Sequence, residues 1–184
     1  LMQMYTNGFA LSPAFLKKQP GIFDLERLRI SLYGVDDVSY EKVTRVPKSF
    51  NIVKNNLINF LKENINKQSI KIGLNWIILP GQSALLKPLF NFISEVSISS
   101  GRPLDYITLR EDFSQSGSVI SNEEREELKE IFHWIENQCK EKDELKDLYV
   151  DYGYALNPLT DGKNVGPLKM INSKGMPDYG FPQV

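Results

Sequence analysis

Arg110-Glu111-Asp112 places three charges at the end of the apolar run that begins at Asp105. Charges at the end of a buried strand are costly unless they are paired or wetted, so the triplet is a candidate for substrate contact. Side chains alternate along a strand. That sends Arg110 to the same face as Tyr106 and Thr108 and suits its guanidinium to a phosphate or carboxylate. An ion-pair network at the strand end is the alternative. Asn75 falls in mid-strand, where Asn is disfavoured; a ligand contact explains it, and so does a buried structural amide. Ser31 and Tyr33 share a face near another strand end. The serine can contact a ligand or satisfy a backbone group, and the tyrosine can stack on a ligand or close the core. Thr6 and Asn7, ahead of Gly8, are turn residues first and ligand contacts second.

Other reactive side chains have plainer readings. His133 lies among Glu126, Glu130 and Glu136, but acidic surface helices are common, and no metal ligand is assigned. Cys139 continues an apolar helical stripe and reads as a core residue. The run from Glu123 to Glu130 is a solvated face with negative charge near a helix start. Gly162 to Gly175 lacks the GK[ST] ending of a phosphate loop. No catalytic residue stands out.

The elements that must position these side chains follow from periodicity. Leu1 to Tyr5, Arg27 to Tyr33, Ile70 to Leu79 and Asp105 to Leu109 read as strands, each closed by a turn or charged signal. Between them lie a short helix over 12–19, a helix that Ser49 caps and that runs to about Ile65, and a helix over 84–99. Ser121 and Glu124 form a capping box ahead of the stripe Leu128, Ile131, Phe132, Ile135 and Cys139. Tyr149 to Tyr154 is a further strand candidate. The pattern changes near Lys146, so 1–146 is expected as the main unit and 147–184 as the start of a Gly/Pro-rich extension.

Strands alternating with helices predict an α/β fold with a parallel sheet, either a barrel or an open doubly wound sheet. Each strand has an apolar face and a polar one: Lys71, Gly73, Asn75 and Ile77 in the third strand, Arg27, Arg29, Ser31 and Tyr33 in the second. An antiparallel sheet with one wet face also alternates, but it does not need the intervening helices. A small closed barrel fills its interior with branched apolar residues. Polar interior positions point to a wider, incompletely closed barrel around a polar ligand, bound at the carboxyl ends of the strands.

The 184 residues carry 22 Lys+Arg against 23 Asp+Glu, a net charge of −1. That balance argues against bulk electrostatic binding of nucleic acid. No apolar run approaches the roughly 20 residues of a membrane span. One cysteine excludes a disulfide framework, and with no basic leader at Leu1 to Tyr5 a cytoplasmic setting is expected. The sequence begins at Leu1 and ends at Phe181-Pro182-Gln183-Val184, so a fragment of a longer protein is expected.

Four segments carry a resemblance. They are Tyr5-Thr6-Asn7-Gly8, Arg29-Ile30-Ser31-Leu32-Tyr33-Gly34, Tyr40 to Arg45 with Ser49 to Val53, and Gly73-Leu74-Asn75-Trp76-Ile77-Ile78-Leu79-Pro80-Gly81. In this order, over about residues 1–115, they resemble the radical S-adenosylmethionine superfamily. Ile107 to Ser114, Val150 to Leu156 and Pro182-Gln183-Val184 extend the likeness to members that remove an amino group from a nucleotide-linked amino sugar in deoxysugar biosynthesis. The resemblance implies the last four strands of a partial parallel (βα)6 barrel and a lyase that takes a hydrogen atom from a small substrate. It implies S-adenosylmethionine, a [4Fe–4S] cluster and an electron donor for that cluster. The CxxxCxxC loop and acidic-glycine motif of the family are not in this sequence, so the cluster ligands are expected upstream and the fragment alone is expected to be inactive. By the same resemblance, Thr6, Asn7, Ser31, Arg45 and Asn75 contact S-adenosylmethionine, with Arg45 at its methionine carboxylate. Tyr33, Arg110 and Glu111 are substrate-side candidates. The alternatives are a cluster-free α/β enzyme that binds a phosphosugar, or a non-catalytic α/β binding module.

Overall fold

The computed structural model describes residues 2–66, 70–112 and 120–160. Five strands form one sheet: β1 Gln3–Thr6, β2 Arg27–Ser31, β3 Lys71–Ile78, β4 Tyr106–Glu111 and β5 Tyr149–Asp151. Every pairing is parallel, and the strands lie in chain order β1-β2-β3-β4-β5. This corrects two alternatives. The antiparallel reading fails on the pairings. The doubly wound reading fails because such sheets reverse strand order at a switch point, and this one does not. The expected four strands become five, since β5 joins the same sheet beside β4, past the change of pattern at Lys146.

A strand order that advances one way, with crossovers of one hand, keeps all the helices on one face. They are α1 Pro13–Lys18, α2 Asp37–Thr44, α3 Ser49–Glu63, α4 Leu86–Ser100 and α5 Asn122–Glu141, with α6 Gly153–Leu156 after β5. A single core joins Leu28, Ile30, Leu74, Trp76, Ile107 and Leu109 of the sheet to Val53, Leu57 and Phe60 of α3, Leu89 and Ile93 of α4, and Leu128, Phe132 and Ile135 of α5. On the other face lie Arg27, Arg29, Lys71, Asn75 and Arg110, partly open to solvent.

Local chemistry sets the helix ends, in places differently from expectation. Ser49 does not cap α3. Lys48 holds that position at φ 56, and the Ser49 hydroxyl donates to the Val46 carbonyl at 2.7 Å. The short helix α2 has too weak an apolar stripe to show in the sequence. Its start is a capping box, with Asp36 Oδ1 accepting from Ser39 N at 2.6 Å. At α5, Ser121 Oγ accepts from Glu124 N at 3.2 Å as expected. The Glu124 carboxylate accepts instead from Gly81 N at 3.0 Å and Ser83 N at 3.2 Å, so its charge serves a loop on another strand.

At the amino-terminal half of the open face, the Tyr106 ring lies over Gly73, and its hydroxyl donates to the Leu28 carbonyl at 3.0 Å. Arg27 and Arg29 stack on that ring at 5.2 and 5.6 Å. A Cβ on Gly73 would come within 2.5 Å of both the ring and the Tyr106 carbonyl oxygen. Because that oxygen is backbone, it cannot yield as a side chain can. Gly73→Ala is therefore expected to destabilise the protein by about 1–3 kcal/mol, the usual range for overpacking. A thermal melt checks this, and an unchanged Tm would show that the sheet gives way there at no cost.

Candidate functional site

The carboxyl half of the open face carries a polar row fixed by register. Ser31 pairs with Asn75, Asn75 with Thr108, and Thr108 with Asp151, across four neighbouring strands. At the usual interstrand spacing the row spans about 14 Å. Ser31 and Asn75 are half-buried. Thr108 is 1% exposed, and its hydroxyl has no hydrogen-bond partner. A buried hydroxyl without a partner costs about 1–3 kcal/mol.

Beside this row, a cavity of about 140 Å³ opens between the ends of β2 and β3. Apolar residues Leu32, Val43, Ile77 and Leu79 line it together with Trp76, and Tyr33, Asn75, Gln82 and Asp112 are its polar lining residues. The buried Trp76 Nε1–H has no acceptor. Apolar walls with a few placed polar groups are the usual make-up of a small-molecule site. The loop after β3 is held in shape by the two hydrogen bonds to Glu124, and Ser83 Oγ donates to Glu127 at 2.8 Å. The amino-terminal turns of α5 thus fix one rim of the cleft.

The expected site residues divide. Ser31, Asn75, Tyr33 and Arg110 lie along the carboxyl edge of the open face. Tyr33 is 37% exposed and meets the Tyr40 ring edge-on at 6.0 Å. Burial pushes the Tyr40 phenol up to about 12, with Tyr33 adding to the shift. Arg110 is held by Asp151 in an ion pair of 2.8 Å. Glu111 stands apart from these. It is in register with Ile78, on the helix side, and is 8% exposed. Its carboxylate pairs with Arg125 of α5 at 2.7 Å, a link that fastens the helix to the end of β4.

Thr6 is in register with Ile30, also on the helix side. Its Oγ1 accepts from Gly8 N at 3.1 Å, and Asn7 Oδ1 accepts from Phe9 N at 3.1 Å. Both shape the turn, and Asn56 pins it by donating to the Gly8 and Phe9 carbonyls at 3.1 and 2.8 Å. Arg45 ends α2 at φ 61, is exposed, and is not among the residues lining the cavity. Of the motifs extending the likeness, Ser114 and Pro182-Gln183-Val184 fall outside the described residues. Trp76, Gln82, Thr108, Asp151 and Glu124 were not foreseen as site residues. Thr108 and Asp151 had a signal in the strand alternation, whereas the Glu124 contacts cross more than 40 residues of chain and left none.

The residues present do not fit an iron–sulfur cluster. The chain has one cysteine, and a cluster needs several thiolates. Burial, with Glu136 adding to it, pushes the Cys139 thiol up to about 11, which disfavours the thiolate. Among the described residues, no group of three or more His, Cys, Asp or Glu side chains can hold a metal ion. No helix among them is long and apolar enough to cross a membrane.

Fold and cleft together define an α/β protein with a parallel five-stranded sheet and a cleft at its carboxyl edge. No protein-family model matches the chain. The chain is similar to dTDP-4-amino-4,6-dideoxy-D-glucose ammonia-lyase of Streptomyces venezuelae, with 36% identity over 184 residues. The match takes in 98% of this chain and 37% of that relative, so the chain spans little more than a third of the relative's length.

Because the Thr108 hydroxyl is buried and unpartnered, Thr108→Val removes an unmet hydrogen bond while keeping the shape of the side chain. The variant is expected to match or exceed the parent in stability, by up to about 1 kcal/mol. Chemical denaturation measures this, and a loss above that size would show that the hydroxyl is partnered in solution.

Proposed function

We propose that this chain is part of a lyase that eliminates ammonia from a nucleotide-linked amino sugar, with chemistry of the radical S-adenosylmethionine type. The similarity to the ammonia-lyase across nearly the whole chain carries this reading. The open polar row and the adjacent cavity support it, because they give a polar ligand a place at the carboxyl edge of a parallel sheet. On this reading the sheet is the later part of a partial barrel, and the cluster ligands and the remaining strands lie in the rest of a longer protein.

Ser31 and Asn75 suit S-adenosylmethionine because both are half-buried hydrogen-bonding side chains in one row, next to the unpartnered Thr108 hydroxyl. S-adenosylmethionine would supply the hydrogen-abstracting adenosyl group on one-electron cleavage, with methionine as the leaving group and the electron coming from a reduced cluster held elsewhere in the longer protein. This chain's own part is to bind, orient and shield. Asn75, half-buried on the wall of the cleft, can donate from its amide to an acceptor on the ligand. Leu32, Ile77 and Leu79 form an apolar side of the cleft, against which part of a bound ligand would be shielded from water. Arg110 brings positive charge to the mouth, where the phosphates of a nucleotide sugar carry negative charge.

The test is an assay on the full-length protein, reconstituted with iron and sulfide and supplied with reductant, S-adenosylmethionine and dTDP-4-amino-4,6-dideoxyglucose. Ammonia and 5′-deoxyadenosine are expected together, with neither formed when S-adenosylmethionine is left out. Ammonia release that continues without S-adenosylmethionine would move the protein to a cluster-free enzyme class. No ammonia under any condition would overturn the reading.

A further inference from the structure

Arg110 leaves β4 with its guanidinium already engaged. Nη2 donates to Asp151 Oδ2 at 2.8 Å, and Nη1 donates to the carbonyls of Leu109 at 3.0 Å and Asp151 at 3.5 Å. None of these bonds uses the Nε–H. The Asp151 side chain is 10% exposed, whereas that of Arg110 is 34% exposed, so the carboxylate is the buried support and the guanidinium the accessible end. The other oxygen of Asp151, Oδ1, accepts from Gly153 N at 2.9 Å. Gly153 adopts φ +65, and a Cβ there would stand 2.4 Å from Arg110 Nη1. Any residue other than glycine would thus be strained and would also displace the guanidinium.

We propose that Asp151 and Gly153 are positioning residues that aim Arg110, through its Nε edge, at an oxyanion of a ligand bound over the carboxyl end of the open face. The oxyanion is a phosphate or a carboxylate, because the side-on edge of the guanidinium, Nε–H with the second hydrogen of Nη2, the first being given to Asp151, matches two oxygens of either group. An arginine already fixed by its partner has less freedom to lose when the ligand arrives. The proposal rests on the reading that this face binds a nucleotide-linked sugar and S-adenosylmethionine, which offer a diphosphate and a carboxylate respectively.

The experiment uses the full-length protein and its variants Asp151→Asn, Asp151→Glu, Gly153→Ala and Arg110→Gln. Calorimetry gives the affinity for thymidine diphosphate, the phosphate probe, and for S-adenosylmethionine, the carboxylate probe. Steady-state kinetics with the amino sugar gives kcat and KM. Asp151→Asn and Gly153→Ala are expected to weaken one of the two probes about tenfold and to leave the other within about twofold, the scale of one charge-assisted hydrogen bond. Arg110→Gln should weaken the same probe at least as much, and Asp151→Glu should recover part of the loss. Where the phosphate is the target, KM for the sugar rises with little change in kcat.

Unchanged affinities and KM in Asp151→Asn and Gly153→Ala would overturn the proposal, as would a wild-type protein that binds neither probe. If the wild type releases no ammonia but the affinities fall as described, the positioning role stands and the lyase reading falls. If the wild type releases ammonia and both variants bind and turn over as it does, the outcome is the reverse. Circular dichroism melts show which variants fold. Should Asp151→Asn unfold, Gly153→Ala decides, because it keeps both charges; unfolding of both would make the pair structural and overturn the proposal.

Discussion

Parallel pairing in unbroken chain order is the constraint on which the rest of the molecule depends. A parallel strand cannot return through a hairpin, so each connection must cross the sheet. With the order advancing from β1 to β5, those crossings cover one face. Leu28, Ile30, Leu74, Trp76, Ile107 and Leu109 are buried against the helices in consequence. Arg27, Arg29, Ser31, Asn75 and Arg110 are left on the other side. The open face is therefore the complement of the core, and both follow from one alternation.

Polar contacts then turn that face into a site. The α5 helix holds two strand ends at once, through Glu124 to the loop after β3 and through Arg125 to Glu111 at the end of β4. Asn56 of α3 does the same for the turn after β1. The turn after β1, the loop after β3 and the end of β4 are thus tied to the helical layer. The similarity to an ammonia-lyase gives the proposal its chemical context, in which Arg110 and the Ser31–Asn75 row would meet a charged, polar ligand.

Much of this was legible in the sequence because a strand's two-residue period reports its faces directly. The apolar and polar faces of the second, third and fourth strands were readable residue by residue, and Ser31, Asn75 and Arg110 came out on one side. The same rule put Glu111 opposite Arg110. Treating the charged triplet as a unit obscured that, and the partner Arg125 lies on a separate helix. Thr6 reads as a turn residue first, and its register with Ile30 and its bond to Gly8 N agree with that, whereas its contact with S-adenosylmethionine is implied only by the resemblance. The α2 helix escaped notice because its only buried residue is Tyr40. The role of Glu124 was hidden because its capping position accounted for it fully, while its carboxylate reaches a loop 43 residues earlier in the chain.

The account's central claim is that ligand binds across the carboxyl edge of the open face. Hydrogen exchange on the full-length protein, with and without S-adenosylmethionine, tests this most directly. The account predicts added protection in peptides covering residues 31–35, 75–82 and 108–112, with α4 and the later turns of α5 unchanged. Protection confined to the helical layer, or none along the strand ends, would contradict it.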